Sequence, residues 1–267
     1  MNRFTDQRII VTGASEGIGR ALCLALAPQK PRLVLAARNT DRLQEVANQC
    51  QSLGARTETV PTDVCEETAC KNLIDRSVAA FGGVDALVNN AGATMWARLE
   101  EMESLEIFER LMRVNYLSAV YCTYYALPHL RRSKGLVVGV ASGAGLTGVP
   151  TRTGYAASKH AMFGFFDSLR IELDGTGVDV TMVAPDFVLS EIHKRAIGKD
   201  GSPLGRSPLL QNKIMTAETC AALIVKAMER RQRLLMTSSR IRLGRWVRLI
   251  APKLIDRMAL NAISKGK

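Results

Sequence analysis

Apolar runs and helical patterns take turns along this chain, and that alternation limits the class of fold open to it. "RIIVTGA" reads as a buried strand and "GRALCLALA" as a helix. "RLVLAAR" is followed by the amphipathic "DRLQEVANQCQSLG", which ends at Gly54, and the extended "TETVPTDV" by the helical "EETACKNLIDRSVAAFG". "VDALVNNAG" is a strand running into a loop, and a long helical stretch covers about 105–130. "GLVVGVAS", "GYAASKHAMFGFFDSLRIELD" and "VDVTMVAP" continue as strand, helix and strand. Strands that alternate with helices predict a parallel sheet covered by helices on both faces. The strand segments are continuous Val, Ile, Leu and Ala runs, as burial on both faces requires. The expected class is α/β.

With 267 residues, the chain suits one large domain, or at most two small ones. We place that domain at residues 1–237 and an extension at 238–267. A 47% hydrophobic content excludes a disordered chain. The six cysteines show no CxxC pair, which predicts reduced, mostly buried thiols in a cytoplasmic protein. Three widely separated histidines give no metal-ligand spacing, so no metal site is expected. The first strand begins at Arg8, leaving no room for a charged and then apolar leader. No run of about 18 uncharged apolar residues predicts a membrane span. One irregular stretch, about 189–212, contains "GKDGSPLGRSP"; its length suits a substrate lid.

Two short stretches carry chemistry. "VTGASEGIGRA" lies directly between the first strand and the first helix. Gly13, Gly17 and Gly19 can make a tight turn there, and the unpaired N–H groups of the helix N-terminus suit a pyrophosphate. "YAASK" places Tyr155 and Lys159 four residues apart, on one face of a helix. A cation near a phenol favours the phenolate, so such a tyrosine could exchange a proton at neutral pH.

Further motifs follow in order: "DV" (63–64), "NNAG" (89–92), Asn115, Ser142 and "PDFVLS" (185–190). Together with "TGASEGIG" (12–19) and "YAASK" they make the chain resemble the classical short-chain dehydrogenase/reductase family over about residues 5–237. The resemblance implies a Rossmann-type, doubly wound, seven-stranded parallel sheet with the cofactor across the carboxyl ends of the strands. It implies that Tyr155 is the acid/base. Lys159 would lower the phenol's pKa and hydrogen-bond the nicotinamide ribose. Ser142 would hold the substrate oxygen, and Asn115 would hold a water behind the lysine. Cofactor contacts are implied for Gly13, Ser15, Gly17, Ile18 and Gly19, for Asp63 and Val64 at the adenine, and for Asn90, Ala91 and Gly92 on the adenosine side. Pro185, Val188 and Ser190 would meet the nicotinamide end. For Asn89 a structural role and a cofactor contact both stand.

The second strand ends "LAARN", and Arg38 can offer two donors to a phosphate, which favours NADP over NAD. Glu16 points the other way, because some family members carry a base there. The family usually has Pro-Gly where this chain has Pro185-Asp186. Asp186 either reshapes the pocket floor or turns away to cap the next element.

The net charge of +11 is concentrated at one end. From Lys226 onward twelve Lys and Arg accompany two acids, Glu229 and Asp256. From Lys253 to Ile263 an amphipathic helix is expected, with Leu254, Ile255, Met258, Ala259 and Ala262 on one side and Pro252 separating it from what precedes. This composition suits peripheral contact with an anionic membrane surface. A helix packed on the subunit's own lid, or on a neighbouring subunit, fits as well. Nucleic acid is not an expected partner, since aromatic residues are few and no reading motif is present.

The expected function is NADP-dependent hydride transfer between nicotinamide and a small-molecule carbonyl or secondary alcohol, apolar or lipid-like. The alternatives are a 3-oxoacyl-thioester reductase and a non-catalytic NADP(H)-sensing module. The family's habit implies a homodimer or homotetramer.

Overall fold

The computed structural model describes residues 3–207 and 214–264. Seven strands form one sheet: β1 (Arg8–Thr12), β2 (Arg32–Ala37), β3 (Arg56–Pro61), β4 (Ala86–Asn89), β5 (Leu136–Val140), β6 (Asp179–Ala184) and β7 (Leu234–Met236). Their order is β3-β2-β1-β4-β5-β6-β7, and every neighbouring pair is parallel. The order reverses between β1 and β4, the crevice where open α/β sheets bind ligands.

Side chains alternate across each strand, and in the central strands both sets are buried. Ile9, Val11, Leu33 and Leu35 pack under α1 (Gly17–Leu26) and α2 (Thr40–Ser52). Ile10, Val34 and Leu87 face α3 (Glu67–Phe81) on the other side of the sheet. This is the physical content of the continuous apolar runs: neither face of the central strands meets water.

A short α4 (Glu106–Met112) leads through a π turn at Arg113–Leu117 into α5 (Ser118–Ser133). The expected long helix is therefore present but widened at Asn115, as π turns often are at functional sites. α6 (Thr153–Glu172) carries "YAASK", and α7 (Ala217–Glu229) packs on α1. β7 did not stand out in the alternation, because "LLM" is three residues long and extends the sheet only by pairing with β6.

The stretch expected as a lid is anchored where it is described. Ile197 donates to the Thr94 carbonyl and accepts from the Trp96 N–H, both at 2.9 Å, and Leu189 donates to Met215 at 2.8 Å. Residues 208–212 of that stretch lie outside the described residues. The extension forms α8 (Ser239–Ile250) and α9 (Pro252–Ser264), with Pro252 at the first helical position. Ala262 lies in α9, but its side chain is outside the described set.

Candidate active site

Of the catalytic and cofactor-contact candidates singled out from sequence, all but Gly19, Asn89 and Asn115 line one cavity of about 670 Å³ above the carboxyl ends of the strands. Gly19 serves it from behind: a Cβ there would lie 2.1 Å from the Gly13 carbonyl oxygen. Gly13 has φ +65°, and its own added Cβ would lie 2.9 Å from Ala91 Cα. Bare backbone is thus required where β1 turns into α1. The first turn of α1 has no side-chain cap and no acidic residue, so its N–H groups are available to an anion.

"NNAG" works mainly as a brace. Thr12 Oγ accepts from the backbone N–H groups of Asn90 and Ala91, each at 3.0 Å, and Asn90 Nδ2 donates to the Thr12 carbonyl at 2.9 Å. Asn89 is buried and donates to Thr123 Oγ at 3.1 Å, a contact that braces β4 against α5. Thr12 was not singled out from sequence, although it opens the glycine motif.

At the adenosine end, Arg38 and Asp63 line the cavity. Glu16 does not stand there as a free anion, since Arg42 and Arg195 both pair with it. Asp63 Oδ1 accepts from the Cys65 N–H at 3.0 Å, which shapes the turn after β3.

The reacting end is built from α6, β5 and the π turn. Tyr155 is buried, and desolvation raises its pKa; a hydrogen bond with Ser142 and the nearby Arg152 guanidinium lower it. Ser142 Oγ also accepts from the Ala144 N–H at 3.1 Å, which aims the hydroxyl. Lys159 Nζ donates to the Val140 carbonyl at 3.0 Å and lies 5.9 Å from the Tyr155 ring centre; burial pushes its pKa down to about 7. The groups that ease ionisation of the phenol here are therefore Ser142 and Arg152. Asn115 clasps Ala93 through both ends of its amide, at 2.8 and 2.9 Å, and donates to Ser158 Oγ at 2.8 Å. Ser158 in turn donates to the Tyr155 carbonyl at 2.8 Å, so Asn115 holds α6 against the turn after β4.

Arg152 and His193 escaped the sequence reading. Arg152 is three residues before Tyr155, at the N-cap of α6, outside the helix itself. Its guanidinium lies 4.3 Å from the Trp96 ring centre and 5.4 Å from that of Phe187. His193 is buried; desolvation and Arg152 hold its pKa down at about 4, so it is neutral.

Asp186, the departure from Pro-Gly, lines the cavity where β6 leads toward α8. It accepts from Ser238 Oγ at 2.6 Å and from Arg240, and so fastens the start of α8. α8 and α9 then close one wall of the cavity with Ile241, Gly244, Ile255, Met258 and Ala259. Ser190 lies beside the glycine turn, 3.4 Å from the position of a Cβ on Gly17. Among the described residues, no cluster could hold a metal ion and no helix is long and apolar enough to cross a membrane.

The short chain dehydrogenase family model matches residues 7–200. The "11-beta-hydroxysteroid dehydrogenase-like 4A" of Arabidopsis thaliana is 35% identical over 251 residues, covering 92% of this chain and 81% of that protein. The "Dehydrogenase/reductase SDR family protein 7-like" of Dictyostelium discoideum is 30% identical over 259 residues, covering 95% and 80%. A short chain dehydrogenase/reductase from Burkholderia phymatum in complex with NAD superposes with a TM-score of 0.83 at 26% identity, covering 95% of this chain and 96% of that one. An alcohol dehydrogenase from Thermococcus sibiricus complexed with 5-hydroxy-NADP gives 0.73 at 27% identity, covering 85% and 94%. Sheet order, glycine turn and family match agree: the chain belongs to the short-chain dehydrogenase family and is an oxidoreductase acting on CH–OH and C=O groups.

Proposed function

We propose that the protein moves a hydride between NADP and the carbonyl or secondary alcohol carbon of a small molecule with an apolar body, with Tyr155 as acid/base. The observation that carries this reading is that Tyr155, Ser142 and Lys159 line the same cavity as the glycine turn. The residues fit the cofactor. Gly13, Gly17 and Gly92 line the cavity with bare backbone, α1 offers free N–H groups, and Arg38 supplies a guanidinium for the additional phosphate. The pairing of Glu16 with two arginines removes its objection to that phosphate. When bound, the nicotinamide supplies or accepts the hydride.

In the reductive direction Ser142 and Tyr155 hold the substrate oxygen, and Tyr155 gives it the phenolic proton as the carbon is reduced. A phenol raised by burial is neutral at pH 7 and ready to donate. Lys159, held near 7, can carry a proton on Nζ or release it. Asn115 keeps α6 in register beside it. The apolar side chains of α8 and α9, with Trp96 and Phe187, suit an apolar substrate body and limit water.

The test is NADPH consumption over ketones and 3-oxoacyl thioesters graded in chain length. Turnover that rises with chain length in the wild type, and falls at least a hundredfold in Tyr155→Phe with NADPH still bound, is the expected result. Undiminished turnover in the variant would overturn the role of Tyr155.

The same extension supports contact with an anionic lipid surface. Trp246 is 64% and Ile250 87% exposed, beside exposed Leu243 and Leu249 and among Arg242, Arg245 and Arg248. Apolar side chains between cations, at the wall of the substrate cavity, suit a protein that takes its substrate from a membrane.

A further inference from the structure

The cavity wall beside Tyr155 holds a charge without a counter-ion. Arg152 is 5% exposed, and its Nε and Nη2 have no hydrogen-bond partner. No ion pair among the described residues involves it. Its surroundings are aromatic, with ring centres of Trp96, Phe187 and Tyr155 at 4.3, 5.4 and 5.9 Å. Rings of this kind attract a guanidinium but accept no conventional hydrogen bond from its edge. Buried polar groups are nearly always paired, and a charged one is the most expensive to leave unpaired. Nε and Nη2 lie on one edge of the guanidinium and form the fork that meets both oxygens of a carboxylate. Arg152 is one of the residues that line the cavity.

We propose that Arg152 recognises a carboxylate on the substrate, a few bonds from the carbon that reacts, so that the enzyme acts on oxo acids or hydroxy acids with an apolar tail. This rests on the reading of Tyr155 as acid/base. It includes a rotation of the guanidinium that turns the covered Nε–Nη2 edge toward the cavity. The proximity of Arg152 to Tyr155 sets the short spacing between carboxylate and carbonyl. Burial brings the guanidinium down to about 10, which leaves it charged at neutral pH, and neutral His193 adds no second cation. The apolar tail would lie along Ile255 and Met258.

The test has two arms. In the first, kcat/KM with NADPH is measured for 2- and 3-oxooctanoate and for their methyl esters. The wild type should favour at least one acid over its ester tenfold or more, and Arg152→Met should bring that ratio to within about threefold of unity. Equal handling of acid and ester by the wild type would overturn the proposal, as would a ratio that survives in Arg152→Met. In the second arm, the NADP-saturated protein is titrated calorimetrically with octanoate and octanamide. Octanoate should bind at least tenfold more tightly in the wild type, with the difference lost in Arg152→Met. Absence of turnover with Arg152-dependent octanoate binding would sink the catalytic reading while sustaining the carboxylate site. Turnover without acid preference would do the reverse. Equal binding of octanoate and octanamide would also overturn the site.

Discussion

Asp186 at the end of β6 is paired with Arg240 in the first turn of α8, and this ion pair joins the catalytic sheet to the C-terminal extension. The aspartate also accepts from Ser238, whose own hydroxyl caps α8 by accepting from the Ile241 N–H at 3.3 Å. Asp186→Ala should therefore loosen α8 more than the sheet. A partly buried charged cluster with a helix cap contributes on the order of 1–2 kcal/mol. We expect a drop of a few degrees in Tm, faster tryptic cleavage at Arg242 and Arg245, and a raised KM for substrate with little change in NADPH affinity. Unchanged proteolysis would mean that the extension is held by other contacts.

The central sheet was legible because burial on both faces leaves a continuous apolar run, and β1, β2, β4, β5 and β6 show one; the edge strand β3, "RTETVP", reads only as extended. β7 was not legible, since three residues make no period and its place comes from pairing with Met182, Val183 and Ala184. Within the site, the glycine turn and the Tyr155–Lys159 pair were readable from local spacing, and Ser142 through the family resemblance. Arg152 was not: in "PTRTGY" it reads as a loop arginine, and its burial is made by Trp96 and Phe187, far away in sequence. The same holds for Asp186, whose two possible orientations could be separated only once Arg240 stood beside it.

Arg38 sets the next expectation. A guanidinium that pairs with the additional phosphate of NADP contributes a charge-assisted hydrogen bond of roughly 1.5–3 kcal/mol. Arg38→Asp should lower the NADPH-over-NADH ratio of kcat/KM at least tenfold. An unchanged ratio would show that Arg38 does not meet the phosphate.

Lys159 predicts a pH dependence of stability. Its folded pKa of about 7 lies below the ordinary 10.5 because of burial. The unfolded chain therefore binds more protons between those values. Stability from this residue is full above 10.5, is lost as pH falls toward 7, and is level below that. Lys159→Met removes the effect. Its stability relative to wild type should be greater at pH 7 than at pH 9 by about 2–3 kcal/mol. Parallel denaturation midpoints at the two pH values would contradict the buried, neutralising lysine.

The exposed face of α8 gives a prediction for lipid. The full chain should float with vesicles rich in anionic lipid and not with neutral ones, and Trp246 emission should shift to shorter wavelength on binding. Removal of residues 240–267 should abolish flotation. Failure of the full chain to float would refute the lipid contact.

The most direct measurement follows the hydride itself. NADPH carrying deuterium at the transferable C4 position is incubated with the protein and an oxo-acid or ketone substrate, and the alcohol is analysed by mass spectrometry and NMR. The account predicts one deuterium at the carbinol carbon in the wild type and at most a trace in Tyr155→Phe, although the variant binds NADPH. Bound NADPH with no label in any product of the wild type, or labelling undiminished in Tyr155→Phe, would contradict it.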